Sequence, residues 1–253
     1  MMKIELTWLA HNAWRLCLGE TAFAVDPFFQ LPDSPENGSM KADYVLLSHG
    51  HADHCADAEA VLKKNSATLI AMAEVTGWFS ARGVKKCEAM NIGGSVPVCV
   101  DGGKTEIRIM MVSASHSSTM PDGRPGGNSC GFLISIPKEG NNAGFSAPFR
   151  PFSEIAAGCR NIYFACDTGW TAEMPWLGSL GIEMALLPIG DRYTLGPALS
   201  LDVIAVLKPQ KVVPCHYNSW PPIRQDVQAW SEAVQKQGIA EPVLLKPGER
   251  YLF

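Results

Sequence analysis

The chain has 253 residues, of which 47% are hydrophobic and 18% are charged, and its formal net charge at pH 7 is -4. This mixture excludes a disordered or fibrous protein, and no segment approaches the roughly 20 apolar residues that span a bilayer. The only adjacent basic pairs are Lys63-Lys64 and Lys85-Lys86, which is too few for the basic surface of a nucleic-acid-binding protein. We therefore expect one domain over residues 1–253 that acts on a small molecule and binds neither nucleic acid nor membrane, with a homo-oligomer left open.

The first part of the chain predicts short strands and two helices. β-Branched, aromatic and aliphatic residues cluster in runs of four to six, and Gly19-Glu20 indicates a tight hairpin. Farther on, Ala58, Val61 and Leu62 fall on one side of a helix. Strands are predicted at residues 4–8, 13–18, 21–25, 44–47 and 68–71, and helices at residues 53–64 and 74–80.

The second part predicts a further sheet. Asp101-Gly102-Gly103 is a turn typical of antiparallel strands, and a polar, glycine-rich loop at 117–129 precedes the next strand. Strands are predicted at residues 95–100, 105–112, 131–136, 161–166, 182–187 and 211–215, and helices at residues 199–207 and 225–237.

Residues 137–158 differ from the rest because they are rich in glycine, proline, asparagine and serine. We interpret them as a long loop excursion. Phe145, Phe149 and Phe152 favour docking of this loop, as a lid or an oligomer contact, over free solvation; a tolerated insertion is the alternative.

The eight cysteines predict buried free thiols rather than a disulfide framework. They lack Cys-x-x-Cys spacing, and Cys55, Cys166 and Cys215 directly neighbour candidate metal-site residues. The first 18 residues are interrupted by polar and charged side chains, unlike a secretory signal. A cytoplasmic protein is expected.

The densest functional signal is His49-Gly50-His51-Ala52-Asp53-His54, directly after the strand predicted at 44–47. Neutral imidazoles and ionised carboxylates are ligands that zinc, manganese and iron accept. A polar helix cap that happens to contain histidine is the alternative. The spacing favours a metal site at a strand-to-helix turn.

Other candidate residues are spread along the chain. Asp26, His116, Asp167 and His216 each come at or just after the carboxyl end of a predicted strand. Sheet-based enzymes gather their reactive groups at such an edge, so these side chains are expected to meet the histidine cluster. Each histidine taken alone also fits a hydrogen-bonded structural role.

Residues 48–54 resemble the His-x-His-x-Asp-His signature of the metallo-β-lactamase superfamily, and His116, Asp167 and His216 match its later ligand positions in order. Flanking motifs make the chain resemble the branch of small metal-dependent hydrolases designated UPF0173, which is itself similar to the ascorbate-6-phosphate lactonases. Ala10 and Cys166 stand where that pattern has glycine. The motifs are Thr7-Trp8-Leu9-Ala10-His11, Asp26-Pro27-Phe28, His116-Ser117-Ser118, Pro188-Ile189-Gly190-Asp191 and Pro214-Cys215-His216-Tyr217-Asn218.

The resemblance implies an α/β (α+β) fold, the four-layer αββα sandwich in which two mixed sheets are flanked by helices and two metals lie at one edge. Asp26 would orient the ligand loop from behind, with a simple Asp-Pro turn as the alternative. The implied ligands are His49, His51 and His116 for the first metal, Asp53, His54 and His216 for the second, and Asp167 as the bridge.

A dinuclear hydrolase is the function that this site implies. Two divalent ions, zinc first with manganese or iron as alternatives, lower the pKa of a shared water, so that a bridging hydroxide attacks an ester, lactone or phosphodiester; amides are a further class. Asp53 would be both ligand and proton acceptor, and His11 a proton donor to the leaving group, unless His11 is structural. The competing functions are a diiron redox enzyme acting on oxygen or nitric oxide, and a metal-stabilised binding or sensing protein without turnover.

Substrate contacts are expected from loops at the same edge. Arg192 suits an anionic group such as phosphate or carboxylate, and a plain surface arginine is the alternative. The candidates are Ser117, Ser118, Arg192, Tyr193, Asn218 and Trp220.

Overall fold

Two facing β-sheets with helices on their outer sides form the architecture of the chain. The structure is a computed structural model that describes residues 2–36, 38, 40–139 and 150–253. Within those residues each sheet contains seven strands. This is the αββα sandwich, and the predicted fold class is confirmed.

The first sheet combines antiparallel and parallel pairs. Its described strands lie in the order β14-β1-β2-β3-β4-β5-β6, antiparallel from β14 to β3 and parallel from β3 to β6. The bounds are β1 (Ile4–Trp8), β2 (Trp14–Leu18), β3 (Thr21–Val25), β4 (Tyr44–Leu47), β5 (Thr68–Met72), β6 (Cys87–Met90) and, from the end of the chain, β14 (Arg250–Leu252).

The second sheet repeats this arrangement. Its described strands lie in the order β13-β12-β11-β10-β9-β8-β7, antiparallel from β7 to β10 and parallel from β10 to β13. The bounds are β7 (Ser95–Val100), β8 (Thr105–Ser113), β9 (Cys130–Pro137), β10 (Cys159–Phe164), β11 (Ile182–Pro188), β12 (Lys211–Cys215) and β13 (Glu241–Pro242).

The helices pack against the parallel half of each sheet. In the described residues α2 contacts β4 and α3 contacts β5 and β6, whereas α5 and α6 contact β11 and α7 contacts β13. None of the described helices is long and apolar enough to cross a membrane. The bounds are α1 (Ala52–Cys55), α2 (Ala58–Asn65), α3 (Ala73–Ala81), α4 (Phe152–Ala157), α5 (Met174–Ser179), α6 (Pro197–Leu207) and α7 (Val227–Gln237), with a 3-10 turn at Pro221–Ile223.

Tertiary contacts explain where the predicted elements were wrong. The helix expected at 53–64 is divided into α1 and α2, because Asp57 turns away to bind the loop after β3: its N–H donates to the Pro27 carbonyl (3.3 Å) and its Oδ2 accepts from Phe29 N (2.7 Å). The predicted excursion ends in α4, whose Phe152 ring lies 6.4 Å from that of Trp176. Phe145 and Phe149 lie outside the described residues.

The core accounts for the runs of apolar residues. All five residues of β1 and the first seven of β9 are buried, as expected for strands covered on both faces. Leu6, Leu16, Phe23 and Phe132 belong to one continuous cluster that reaches both sheets. All eight cysteines are free thiols, as predicted, but only five are buried: Cys17 and Cys87 are partly buried and Cys99 is exposed.

Candidate metal centre

The first group of potential ligands combines two residues after β4 with one after β8. His51 Nδ1 lies 3.0 Å from His49 Nε2 and 3.3 Å from His116 Nε2. Burial lowers the pKa of all three imidazoles, so they are neutral at pH 7 and offer lone pairs to one point. This matches the set that the sequence predicted for one metal.

The second group lies beside the first. One atom from each of Asp53, His54, His216 and His11 falls within 4.8 Å of the others. The first three were predicted as ligands of a second metal. His11 was predicted as a proton donor or a structural histidine and not as a ligand, and the structure places its ring in this group.

Asp167 lies between the two groups. Its Oδ2 is 3.0 Å from His216 Nε2, 3.3 Å from His54 Nε2 and 3.6 Å from His116 Nε2. The order of the strands explains this position, because β10 and β12 end at the same edge of the second sheet. The carboxylate therefore faces members of both groups, as a bridge must.

Several buried polar atoms of this cluster have no hydrogen-bond partner among the described residues. They are Asp167 Oδ1, His54 Nε2 and both ring nitrogens of His216. Unsatisfied polar atoms are costly inside a protein, and two of these, His54 Nε2 and His216 Nε2, lie 3.3 and 3.0 Å from Asp167 Oδ2. A divalent cation would satisfy such atoms, so the residues present fit a metal.

Charge pairing within the second group is strong. Burial disfavours a charged imidazole, but Asp167 and Asp26 outweigh it and raise the pKa of His54 well above its ordinary value. Burial likewise opposes ionisation of Asp167, yet His216 and His54 hold the pKa of that carboxyl well below its usual range. The protonated His54 ring thus supplies the positive charge that a bound metal ion would supply, and metal binding would release its proton.

Asp26 lies behind Ser48 and His54 and is fully buried. Its Oδ1 accepts from Ser48 N (2.8 Å), and its Oδ2 accepts from Ser48 Oγ (2.6 Å) and Asn12 Nδ2 (3.0 Å). The same Oδ2 lies 2.9 Å from His54 Nδ1. With these neighbours Asp26 orients the ligand loop and the ring of His54.

His11 is held on both ring nitrogens. Its Nε2 lies 3.3 Å from Asp53 Oδ2 and its Nδ1 lies 2.8 Å from Ser219 Oγ. Burial, followed by the neighbouring His216, lowers the pKa of His11 to about 4, so the ring is neutral at pH 7. Ala10 and His11 both have left-handed backbone, with φ values of 85° and 51°.

Three buried thiols support the loops behind the ligands. Cys130 Sγ donates to the Ser48 carbonyl (3.2 Å), and Cys55 Sγ donates to the Gly50 carbonyl (3.3 Å). Cys215 Sγ donates to Asn12 Oδ1 (3.2 Å). Burial raises the pKa of Cys55 to about 12 and that of the other two thiols well above its ordinary value, so they act as donors and not as thiolate ligands.

A cavity of about 310 Å³ opens onto the cluster. Three of the predicted substrate contacts, Ser117, Tyr193 and Trp220, lie in its wall. Ile223 also lines it and was missed, because a single apolar residue carries no functional signature in the sequence. The lining residues are His51, Asp53, His116, Ser117, Asp167, Tyr193, His216, Trp220 and Ile223.

The other three predicted substrate contacts lie outside that lining. Ser118 Oγ accepts from Gly50 N (3.2 Å) and supports the ligand loop. Asn218 Oδ1 accepts from Gln225 N (2.8 Å). The Arg192 guanidinium lies over the Tyr193 ring, 5.6 Å from its centroid, on the solvent side.

Comparison with known proteins places this site in a family. A model described as a Beta-lactamase superfamily domain matches residues 21–217. A curated UPF0173 metal-dependent hydrolase from Desulforamulus reducens is 36% identical over 252 residues, which cover 97% of this chain and 98% of the relative. The chain belongs to the UPF0173 family of metal-dependent hydrolases.

A further UPF0173 relative and a solved structure support this assignment. The UPF0173 metal-dependent hydrolase of Thermus thermophilus is 35% identical over 250 residues, with 97% of both chains covered. Igni18, described as a novel metallo hydrolase from the hyperthermophilic archaeon Ignicoccus hospitalis, superposes with a TM-score of 0.81 at 29% identity and covers 99% of this chain and 98% of its own. The predicted class, a metal-dependent hydrolase of the metallo-β-lactamase superfamily, is confirmed.

Proposed function

We propose that this UPF0173 protein is a dinuclear hydrolase that uses an activated water to cleave an ester, lactone or phosphodiester. The position of the Asp167 carboxylate supports the proposal best, because a side chain between two groups of ligand atoms is what a shared pair of ions requires. In the proposal the ligands are His49, His51 and His116 for one ion, Asp53, His54 and His216 for the other, and Asp167 for both.

Divalent ions bound there would lower the pKa of water and polarise the bond under attack, with zinc the first expectation and manganese or iron the alternatives. Asp53 is the proton acceptor in the proposal. Its side chain is 32% exposed toward the cavity, and although burial raises its pKa, the contacts with His11 and His54 hold that pKa below its usual range. It is therefore ionised at pH 7.

For an ester, water adds to the carbonyl carbon, the C–O bond to the alcohol breaks, and one proton of the water passes through Asp53 Oδ2 to the leaving oxygen. An acid and an alcohol result, with no change of oxidation state. His11 is buried, neutral and absent from the cavity wall, so it does not suit the proton-donor role expected from the sequence. In the proposal His11 orients Asp53.

Elemental analysis of natively purified protein, followed by an ester, lactone and phosphodiester panel on the same sample, tests the proposal. We expect two metal ions per chain and hydrolysis of at least one class. The Asp167→Ala variant is expected to lose metal and turnover, whereas Asp202→Ala, which changes an exposed carboxylate on α6, keeps both.

Each contrary result has a distinct meaning. Two metals and full turnover in Asp167→Ala would contradict the bridge. Iron with a visible absorption band and no hydrolysis would favour the diiron redox enzyme. Stoichiometric metal without turnover on the whole panel would favour the binding protein.

A further inference from the structure

Part of the cavity wall beside the ligand cluster is aromatic. Trp220 and Tyr193 stand at its rim with exposed fractions of 38% and 55%, and the buried Ile223 lies beside them. Large aromatic side chains are usually covered in a folded protein. Two of them exposed at the mouth of a small cavity therefore indicate a binding surface for a flat apolar group of a ligand.

Trp220 is held in place before any substrate binds. Its ring meets the His11 ring edge-on at a centroid distance of 4.8 Å and lies 6.3 Å from the Phe28 ring. Two prolines follow it directly in the 3-10 turn, and the Trp220 carbonyl accepts from Ile223 N (3.1 Å). A side chain fixed in this way loses little conformational entropy when a ligand stacks on it.

Tyr193 is held by a constrained loop. The two residues before it, Asp191 and Arg192, have left-handed backbone with φ values of 61° and 51°. Asp191 N donates to the Leu195 carbonyl (3.0 Å), which closes the loop. The Arg192 guanidinium covers the Tyr193 ring and does not line the cavity.

The charged residues of the cavity wall do not favour a substrate with an anionic substituent. Among the described residues that line the cavity there are two carboxylates, Asp53 and Asp167, and neither lysine nor arginine. Phosphate and carboxylate groups are recognised by those two cationic side chains. An anionic substituent away from the cleaved bond would therefore lack a partner here.

We propose that the substrate is a neutral ester or lactone with a flat apolar group that stacks on Trp220 and Tyr193 while its carbonyl faces the ligand cluster. This inference rests on the proposed hydrolytic function and names its substrate class. A volume of about 310 Å³ holds on the order of ten water-sized groups, enough for an aryl ester of one ring. Addition of one water breaks the acyl C–O bond and gives an alcohol and an aryl-substituted acid from the ester, or a single hydroxy acid from the lactone.

Three methyl esters with the same leaving group test the inference on the metal-loaded enzyme: methyl phenylacetate, methyl propionate and monomethyl glutarate. We expect kcat/KM for methyl phenylacetate to exceed the other two about tenfold or more. Trp220→Ala is expected to raise KM for methyl phenylacetate about tenfold, and so to remove most of the kcat/KM preference over methyl propionate measured in the same variant. Trp220→Phe keeps a ring and should restore most of the preference.

The matched control is Trp176→Ala, because Trp176 is similarly exposed (40%) but lies on α5 outside the cavity wall. It should change none of these constants. Calorimetry with phenylacetone, a neutral ketone that water does not cleave, adds a readout independent of turnover: binding to the wild type is expected, with at least about tenfold weaker binding to Trp220→Ala.

Failure of the inference differs from failure of the proposed function. Hydrolysis that prefers monomethyl glutarate, or an unchanged KM for methyl phenylacetate in Trp220→Ala, overturns the aromatic-substrate inference and leaves the hydrolase intact. No hydrolysis of any ester, lactone or phosphodiester by the metal-loaded enzyme overturns the proposed function.

Discussion

The Oδ2 atom of Asp26 lies 2.9 Å from the Nδ1 atom of His54, on the side of the ring that faces away from Asp167. One carboxylate therefore fixes the direction in which the opposite nitrogen of His54 points. That nitrogen, Nε2, lies 3.3 Å from Oδ2 of a second carboxylate, Asp167.

Asp26→Ala is expected to weaken metal binding by roughly 10- to 100-fold, the usual cost of removing a residue that orients a ligand. The measurement is a competition titration with a chelating dye. Asp43→Ala is the control, because Asp43 accepts from Ala22 N (2.9 Å) at the far end of β3 and should leave metal affinity unchanged. Equal affinity in wild type and Asp26→Ala would contradict the orienting role.

In the metal-saturated enzyme His11→Ala is expected to lower kcat about 10- to 100-fold, because Asp53 loses the neighbour that orients it. The contact with His11 also lowers the pKa of Asp53, so the acidic limb of the kcat/KM profile should move to higher pH in the variant. Ser219→Ala, which frees the other ring nitrogen, should show a smaller effect. A lower kcat with an unshifted profile would argue against this role.

The metal-free protein is expected to lose stability as pH falls from about 6.5 to 4. Burial lowers the pKa of His49, His51 and His116, and that of His11 to about 4, so the unfolded chain binds more protons than the folded one in this window. His11 alone accounts for a loss of about 1.5 kcal/mol in the free energy of unfolding between pH 6.5 and pH 5. Urea unfolding at several pH values after EDTA treatment checks this.

His54 does not compensate for that loss. Its pKa is raised in the folded state, so its contribution is already complete below its ordinary value and disappears only as pH rises. A metal-free protein that is as stable at pH 5 as at pH 7 would contradict the prediction.

Cys99 is expected to be the first thiol modified in the native protein, because its side chain is exposed. Burial raises the pKa of Cys55 to about 12 and that of Cys159 to about 11, which leaves almost no thiolate at pH 8. Iodoacetamide labelling followed by mass spectrometry should find one fast site, absent in Cys99→Ser. In denaturant all eight cysteines should react.

Ala10→Gly is expected to raise the free energy of unfolding by about 0.5–1 kcal/mol. Ala10 has a φ of 85°, which glycine adopts without strain, and this relief exceeds the entropy that glycine adds to the unfolded chain. Ala13→Gly is the control, since Ala13 lacks positive φ and should only lose stability. Urea unfolding of the three proteins compares them.

The sequence predicted the parts of the site that follow from local pattern. His49, His51, Asp53 and His54 are adjacent in the chain, and Asp167 follows an apolar strand whose direction was evident. Ala10 and Cys166, noted as departures from glycine, both have left-handed backbone, which is the reason for a glycine there.

The features that escaped prediction depend on distant contacts. Cys130 contacts the Ser48 carbonyl only because the two sheets face each other. Ser219 contacts His11 although the two residues are 208 positions apart in the sequence. The two-residue strand β13 forms only because it pairs in parallel with β12 at the edge of the second sheet. The helix break at Asp57 requires Pro27 and Phe29 as partners.

The ligand cluster draws on both sheets, and this has a consequence for the lifetime of the protein. Ions held there would cross-link His54, which follows the first sheet, to Asp167 and His216, which follow strands of the second. The sheets could then separate only after the ions had left. Resistance to heat would be set by the fraction of molecules that have lost their ions, so added metal would slow inactivation even at concentrations far above its dissociation constant.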